Sequence, residues 1–168
     1  SVPAGTSLGK YESVELRDHD EKRYGGMGVL KAVSNVHGAI ASKIKGMDAL
    51  DQGGIDKVLI DLDGSKDKHV LGSNSILSVS LATAAAAANA SRMPLYRYIN
   101  QVFKPFSDTQ MTRIPTPTFN IINGGKHGAG NLDFQEFHIV PASNKSFSVA
   151  LEMGVAVYKG VKEILKYR

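Results

Sequence analysis

Glycine governs what the stretch Asn120–Val140 can become. A loop of Gly, Asn, Lys and His separates two apolar runs, Thr118–Ile122 and Phe134–Val140. In a helix interior each glycine costs about 1 kcal/mol relative to alanine, so this loop is not a crossover helix. The two runs are therefore expected to pair antiparallel, as a hairpin. In that geometry the end of the first strand, the loop and the start of the second strand meet at one edge. His127, Gln135 and Glu136 are expected to converge at one mouth, on backbone that glycine leaves open to close approach. In an alternating strand Phe134, Glu136 and His138 would share a face. A carboxylate among apolar neighbours is generally paired or functional.

The remainder of the chain reads as helices and connecting loops. Val2-Pro3-Ala4-Gly5-Thr6-Ser7-Leu8-Gly9 is a loop, and Gly5-Thr6-Ser7-Leu8-Gly9 matches the G-x-S-x-G pattern of a serine hydrolase elbow. That elbow must follow a strand and open a helix. Here Pro3 precedes it and the polar/apolar alternation of Lys10–Arg17 follows, so a glycine-hinged lid loop suits the context better. The run His19-Asp20-Glu21-Lys22-Arg23 reads as a solvated turn. Gly25-Gly26-Met27-Gly28 lacks both the G-x-G-x-x-G spacing and a leading strand, which removes the dinucleotide reading.

A first helix is predicted over about Val29–Ile44, with Val29, Val33, Val36, Ile40 and Ile44 on one face. A second covers about Asp51–Leu62 with Gly64 as C-cap. The acidic residues Asp56, Asp61 and Asp63 lack the calcium-loop spacing and read as a solvated face. A third helix starts near Ser73 or Asn74, an N-cap candidate, and runs to about Ala90. It is apolar nearly all round and is expected to be the buried central helix. Pro94 opens a short fourth helix, and Lys104–Arg113, polar and aperiodic, is the expected domain boundary. After the hairpin, a last helix begins at about Ser146.

Bulk properties bound the partners. The 168 residues are 42% hydrophobic, enough for a core, and carry a net charge of +4 with the basic residues scattered. Scattered charge argues against nucleic acid as a partner. The absence of cysteine excludes disulfides and thiolate metal sites and suits a reducing cytoplasm. The Ala-rich run Ser80–Ala90 is too short to span a bilayer, so no membrane span is expected. The chain opens without Met and stops inside a helical pattern, and is expected to be a piece of something longer.

On residues alone, three readings meet at Asn123-Gly124-Gly125-Lys126-His127. A phosphate-binding P-loop fails, because Asn120 stands where its first glycine belongs and His127 where Ser or Thr belongs. A plain hairpin loop and a catalytic mouth both remain.

The ordered motifs go further. Val2-Pro3-x-Gly5-x-Ser7-x-Gly9, Tyr11-Glu12, Glu15-Leu16-Arg17-Asp18, Leu62-Asp63-Gly64 and Asn74-x-Ile76-Leu77-x-Val79-Ser80-Leu81-Ala82 precede Pro94-Leu95-Tyr96. Pro115-x-Pro117-x-Phe119-Asn120-x-Ile122-Asn123-Gly124-Gly125-x-His127 and Gln135-Glu136-Phe137 are the most specific. In these the chain resembles the enolases, phosphopyruvate hydratases, across essentially its whole length. The resemblance implies an α/β chain in two parts. Residues 1–113 would be the helical cluster of an α+β N-terminal domain lacking its first strands. Residues 114–168 would be the opening strand–strand–helix of a TIM-like (β/α)8 barrel, its second strand antiparallel to its first.

The reaction so implied is the reversible dehydration of 2-phosphoglycerate to phosphoenolpyruvate in glycolysis, with two Mg²⁺ offsetting the charge of the intermediate. By resemblance Ser7 is the lid-loop ligand of the second Mg²⁺, and His127, Gln135 and Glu136 are substrate-side residues. No catalytic acid or base falls within the chain: the general acid, the first metal's carboxylates and the lysine base would lie beyond Arg168. Residues 1–168 alone are therefore expected to be inactive. A cytoplasmic homo-oligomer, dimer or octamer, is also implied. Ala4, Thr6, Leu8, Lys126 and His138 depart from the family pattern. The alternatives are a non-catalytic enolase-like binding or structural homologue and, outside the fold, a serine hydrolase using Ser7.

Overall fold

Asp18 and Asn74 show how the first part of the chain is assembled, because each ties a loop to a helix through its side chain. The computed structural model describes residues 1–5, 9–105, 111 and 113–166. They belong to two compact units, Ser1–Thr109 and Gln110–Arg168. In the first, an α-helical segment α1 (Leu30–Asn35), a π-helical stretch (Val36–Ile40) and α2 (Ala41–Ile44) run on as one helix. Next come α3 (Gln52–Asp63), α4 (Ser73–Ala90) and α5 (Leu95–Phe103).

The predicted stripe of the first helix is displaced by one residue at its start. Ala32 is buried and Val33 exposed, while Val36, Ile40 and Ile44 pack inward as expected. The buried positions recur every fourth residue. An α-helix, at 3.6 residues per turn, would carry such a row around its axis. The wider π turn keeps Ile40 and Ile44 on the core side.

Asp18 supplies the cap that Val29 cannot. Its carboxylate accepts from the Leu30 and Lys31 N–H groups at 2.8 and 2.9 Å and from Arg23 at 3.2 Å. Those two backbone bonds are the main reason its carboxyl sits below the usual range. Asn74 does not cap α4, as its sequence position suggested. Gly72 holds the cap position, and the Asn74 amide instead accepts from Leu16 N–H at 3.2 Å and donates to Leu16 C=O at 3.0 Å. A side chain that mimics a peptide edge thus holds the segment carrying Val14 and Leu16. Gly64, left-handed at φ 67°, closes α3 as expected.

Two apolar clusters form along α4. Ile40, Ile55, Leu59, Leu71 and Val79 make one, and Ala87, Ala88 and Tyr98 the other. Hence α4 is the shared helix of this unit, but it is not buried all round. Leu77 and Leu81 are 43% and 45% exposed. The helices packed on α4 cover only part of its circumference, and apolar composition alone does not say how much of a helix its neighbours reach.

In the second unit β1 (Phe119–Asn123) and β2 (Glu136–Ile139) pair antiparallel, and α6 (Phe147–Lys166) follows. Phe119 lies against α6 at Gly154, where a Cβ would come within 3.0 Å of its ring. Ala150, one turn earlier, is buried with Gly154. No helix among the described residues is long and apolar enough to cross a membrane.

The loop between α3 and α4 yields a stability prediction. The buried Asp63 carboxylate accepts from the Leu71 N–H at 2.7 Å, the Ser65 N–H at 3.0 Å and the Ser65 hydroxyl. Burial pushes its pKa up, but the Ser65 and Leu71 bonds and the nearby Lys68 charge outweigh it and leave the carboxyl below its ordinary value. Asp63→Asn should cost about 2 kcal/mol in urea unfolding at neutral pH. A depressed folded pKa stabilises fully above the unfolded value and is lost as pH falls through the folded one. The gap between native and variant should therefore close in acid.

Candidate functional site

The closed end of the hairpin is built from backbone meeting backbone. Gly124 N–H donates to Gln135 C=O at 2.8 Å, and Gly125 N–H donates to Leu132 C=O at 2.8 Å. Gly124 is buried, and a Cβ there would run into the Phe134 carbonyl oxygen and Leu132. Gly125, at φ 59°, opens a 3-10 turn, Gly125–His127, and faces the Gln135 backbone. The glycines expected to make room for a ligand therefore first make room for the chain itself.

That closure sets the candidate residues in place. The turn ending at His127 starts against Gln135, and Glu136 is the next residue along, the first of β2. The backbones of the three are thus gathered at one end of the hairpin. Of His127 only the backbone is described, and Ser7 lies outside the described residues.

Glu136 is paired. Its carboxylate lies 2.8 Å from His138 Nε2, both side chains being partly exposed. An exposed pair of this kind is worth about 0–1 kcal/mol, so it orients more than it stabilises. Phe134 does not join their face. It sits in a bend before β2, and its ring packs edge-on against Phe137, centroids 6.0 Å apart at 70°. The strand is shorter than the apolar run, and alternation begins only at Glu136.

A β-bulge sorts the two faces of the hairpin. Phe119 is opposite Ile139 and Asn120 opposite His138, but Ile122 is opposite Phe137 and Asn123 opposite Glu136. Ile121 is the extra residue. With the extra residue, positions three apart in β1 come onto one face. Asn120 and Asn123 consequently share the face of Glu136 and His138, and Asn120 Nδ2 donates to Asn123 Oδ1 at 2.6 Å. Phe119, Ile122, Phe137 and Ile139 form the other face. The two asparagines were missed from sequence because three-residue spacing does not read as one face of a strand. Their place either side of the Ile121-Ile122 pair was the available signal.

A cavity of about 440 Å³ lies elsewhere, in the first unit, with Val2, Glu15, Arg17, Val33 and His37 among its lining. Its walls are mainly apolar. Arg17 is engaged by Glu15 at 2.5 Å and by the Met27 carbonyl at 3.1 Å, which leaves it little charge for a ligand. Among the described residues no three His, Cys, Asp or Glu side chains gather as a metal site would require.

Comparison with known families bears on the whole chain. Residues 1–99 match the enolase N-terminal domain and residues 111–168 the enolase C-terminal TIM barrel domain. The chain belongs to the enolase family. The helical unit therefore corresponds to the enolase N-terminal domain, and the hairpin with α6 to the opening of the enolase barrel. Several of the enolase motif residues have a visible structural role. Asp18 caps a helix, Asn74 clamps the backbone of Leu16, Asp63 ties a loop, and Gly124 lets the hairpin close.

The glycine requirement can be tested directly. Gly124→Ala should destabilise the hairpin by about 1–3 kcal/mol, as overpacking does. Amide exchange at Gly125 and Gln135 should accelerate while α3 and α4 keep native rates.

Proposed function

We propose that this enolase-family chain forms part of a 2-phosphoglycerate hydro-lyase, in which the closed end of the hairpin borders the substrate. The supporting observation is the docking of the Gly125–His127 turn on Gln135, next to Glu136, within the span matched to the enolase barrel. In this reading His127 and Gln135 hold the phosphorylated acid, and Glu136 takes part in the hydrogen-bonded surroundings of its hydroxyl. A negatively charged substrate beside a carboxylate requires nearby cations or donors to balance the charge.

Mg²⁺ belongs to the proposal, with Ser7 as the one ligand this chain would lend. A single neutral hydroxyl does not hold Mg²⁺, which prefers octahedral oxygen ligands including carboxylates. The described residues do not supply those carboxylates, so no step is assigned through the metal. When bound, it would offset the charge that develops as the proton beside the substrate carboxylate departs. A cytoplasmic homo-oligomer is part of the same proposal, supported by family membership alone.

Two measurements test it. Residues 1–168 alone should form no phosphoenolpyruvate from 2-phosphoglycerate with Mg²⁺ present; turnover above the uncatalysed rate would contradict this. In the protein extended through the whole barrel, turnover should be present. There Gln135→Ala and Glu136→Gln should each lower kcat/KM about 10–100-fold, the equivalent of losing one charge-assisted hydrogen bond. Unchanged kinetics in both variants would remove these residues from the site.

A further inference from the structure

Four polar side chains, Asn120, Asn123, Glu136 and His138, share one face of a two-stranded hairpin whose other face is apolar. Each strand carries its own internal bond: Asn120 to Asn123 at 2.6 Å, and His138 to Glu136 at 2.8 Å. The bulge at Ile121 is what brings the two pairs opposite one another, Asn123 to Glu136 and Asn120 to His138. Without it one asparagine would join the apolar face that carries Phe119. Bulges are frequent where a strand must re-aim a side chain beside a site.

His138 departs from the family pattern, so family membership does not account for it. Its geometry does. An imidazole two residues along the same strand face reaches the Glu136 carboxylate and limits the rotamers open to it. The bond adds little stability at this exposure. Its consequence is direction, which matters for a carboxylate that must meet a substrate within hydrogen-bond reach.

We infer that His138 is a positioning residue for Glu136, fixing through its Nε2 the orientation in which that carboxylate meets the substrate. The inference rests on the substrate-side role proposed above for Glu136. His138 itself touches no substrate. It donates Nε2–H to Glu136, with Asn120 and Asn123 completing the polar face opposite.

The test uses two substitutions at His138 and one at Glu136, read by kinetics and by NMR, with melting temperature as the check on folding. His138→Leu removes the donor, and His138→Gln keeps an N–H at similar reach. In the protein extended through the barrel, His138→Leu should lower kcat about tenfold with KM changed less than twofold, and His138→Gln should restore most of kcat. Their melting temperatures should match that of the native protein. Equal kcat for His138→Leu and native protein overturns the inference, as does a loss that His138→Gln fails to restore. The second readout needs no activity: in ¹⁵N NMR of residues 1–168, the His138 Nε2 signal should shift in Glu136→Gln. No shift means that no such bond exists and overturns the inference even if the protein proves not to act on 2-phosphoglycerate. Absence of turnover with native residues, alongside a clear Nε2 shift, would fell the proposed function and the role of His138 in it, while leaving the pair itself established.

Discussion

One residue too many in β1 controls what the hairpin presents. Side chains on paired strands alternate strictly, so a regular ladder would divide Asn120 and Asn123 between opposite faces. The unpaired Ile121 brings both to the face of Glu136 and His138 and leaves Phe119 and Ile122 on the face of Phe137 and Ile139. The apolar face can then lie against α6, where Gly154 admits the Phe119 ring. The polar face stays clear of that packing. At its end Gly124 lets two backbones approach closer than a Cβ would permit, and Gly125 takes the left-handed φ that starts the turn against Gln135.

The helical unit relies on a related device. Short polar side chains take the place of backbone partners where the chain changes direction. Asp18 caps α1 from twelve residues away, Asn74 serves both backbone groups of Leu16, and Asp63 gathers Ser65 and Leu71. Each satisfies groups that would otherwise be costly to leave unpaired. The apolar clusters along α4 supply the bulk of the packing, but these clamps determine how the loops lie upon it.

What was legible in the sequence follows from the range of each interaction. Helix positions and the hairpin came from local periodicity and glycine content, and the C-cap at Gly64 from local chemistry. The cap from Asp18 and the clamp from Asn74 were not legible, since each joins residues far apart in sequence. Asn74 was misread as a helix cap for that reason. Likewise the all-round burial expected of α4 depended on neighbours that composition does not specify. For the site, His127, Gln135 and Glu136 were named, and the turn that ends at His127 does start against Gln135, next to Glu136. The bulge was invisible, and with it the places of Asn120 and Asn123 and the displacement of Phe134 from the face it was assigned. Enolase family membership was legible because motif order survives where individual contacts cannot be inferred.

In the function proposed above, the closed end of this hairpin is a substrate-bordering wall. Hydrogen–deuterium exchange of the protein extended through the barrel, with and without 2-phosphoglycerate and Mg²⁺, addresses it most directly. Slowed exchange at Gly124, Gly125, Gln135 and Glu136 on adding the substrate is the expected result. Unchanged exchange there, with protection appearing instead around the cavity of the helical unit, would contradict it.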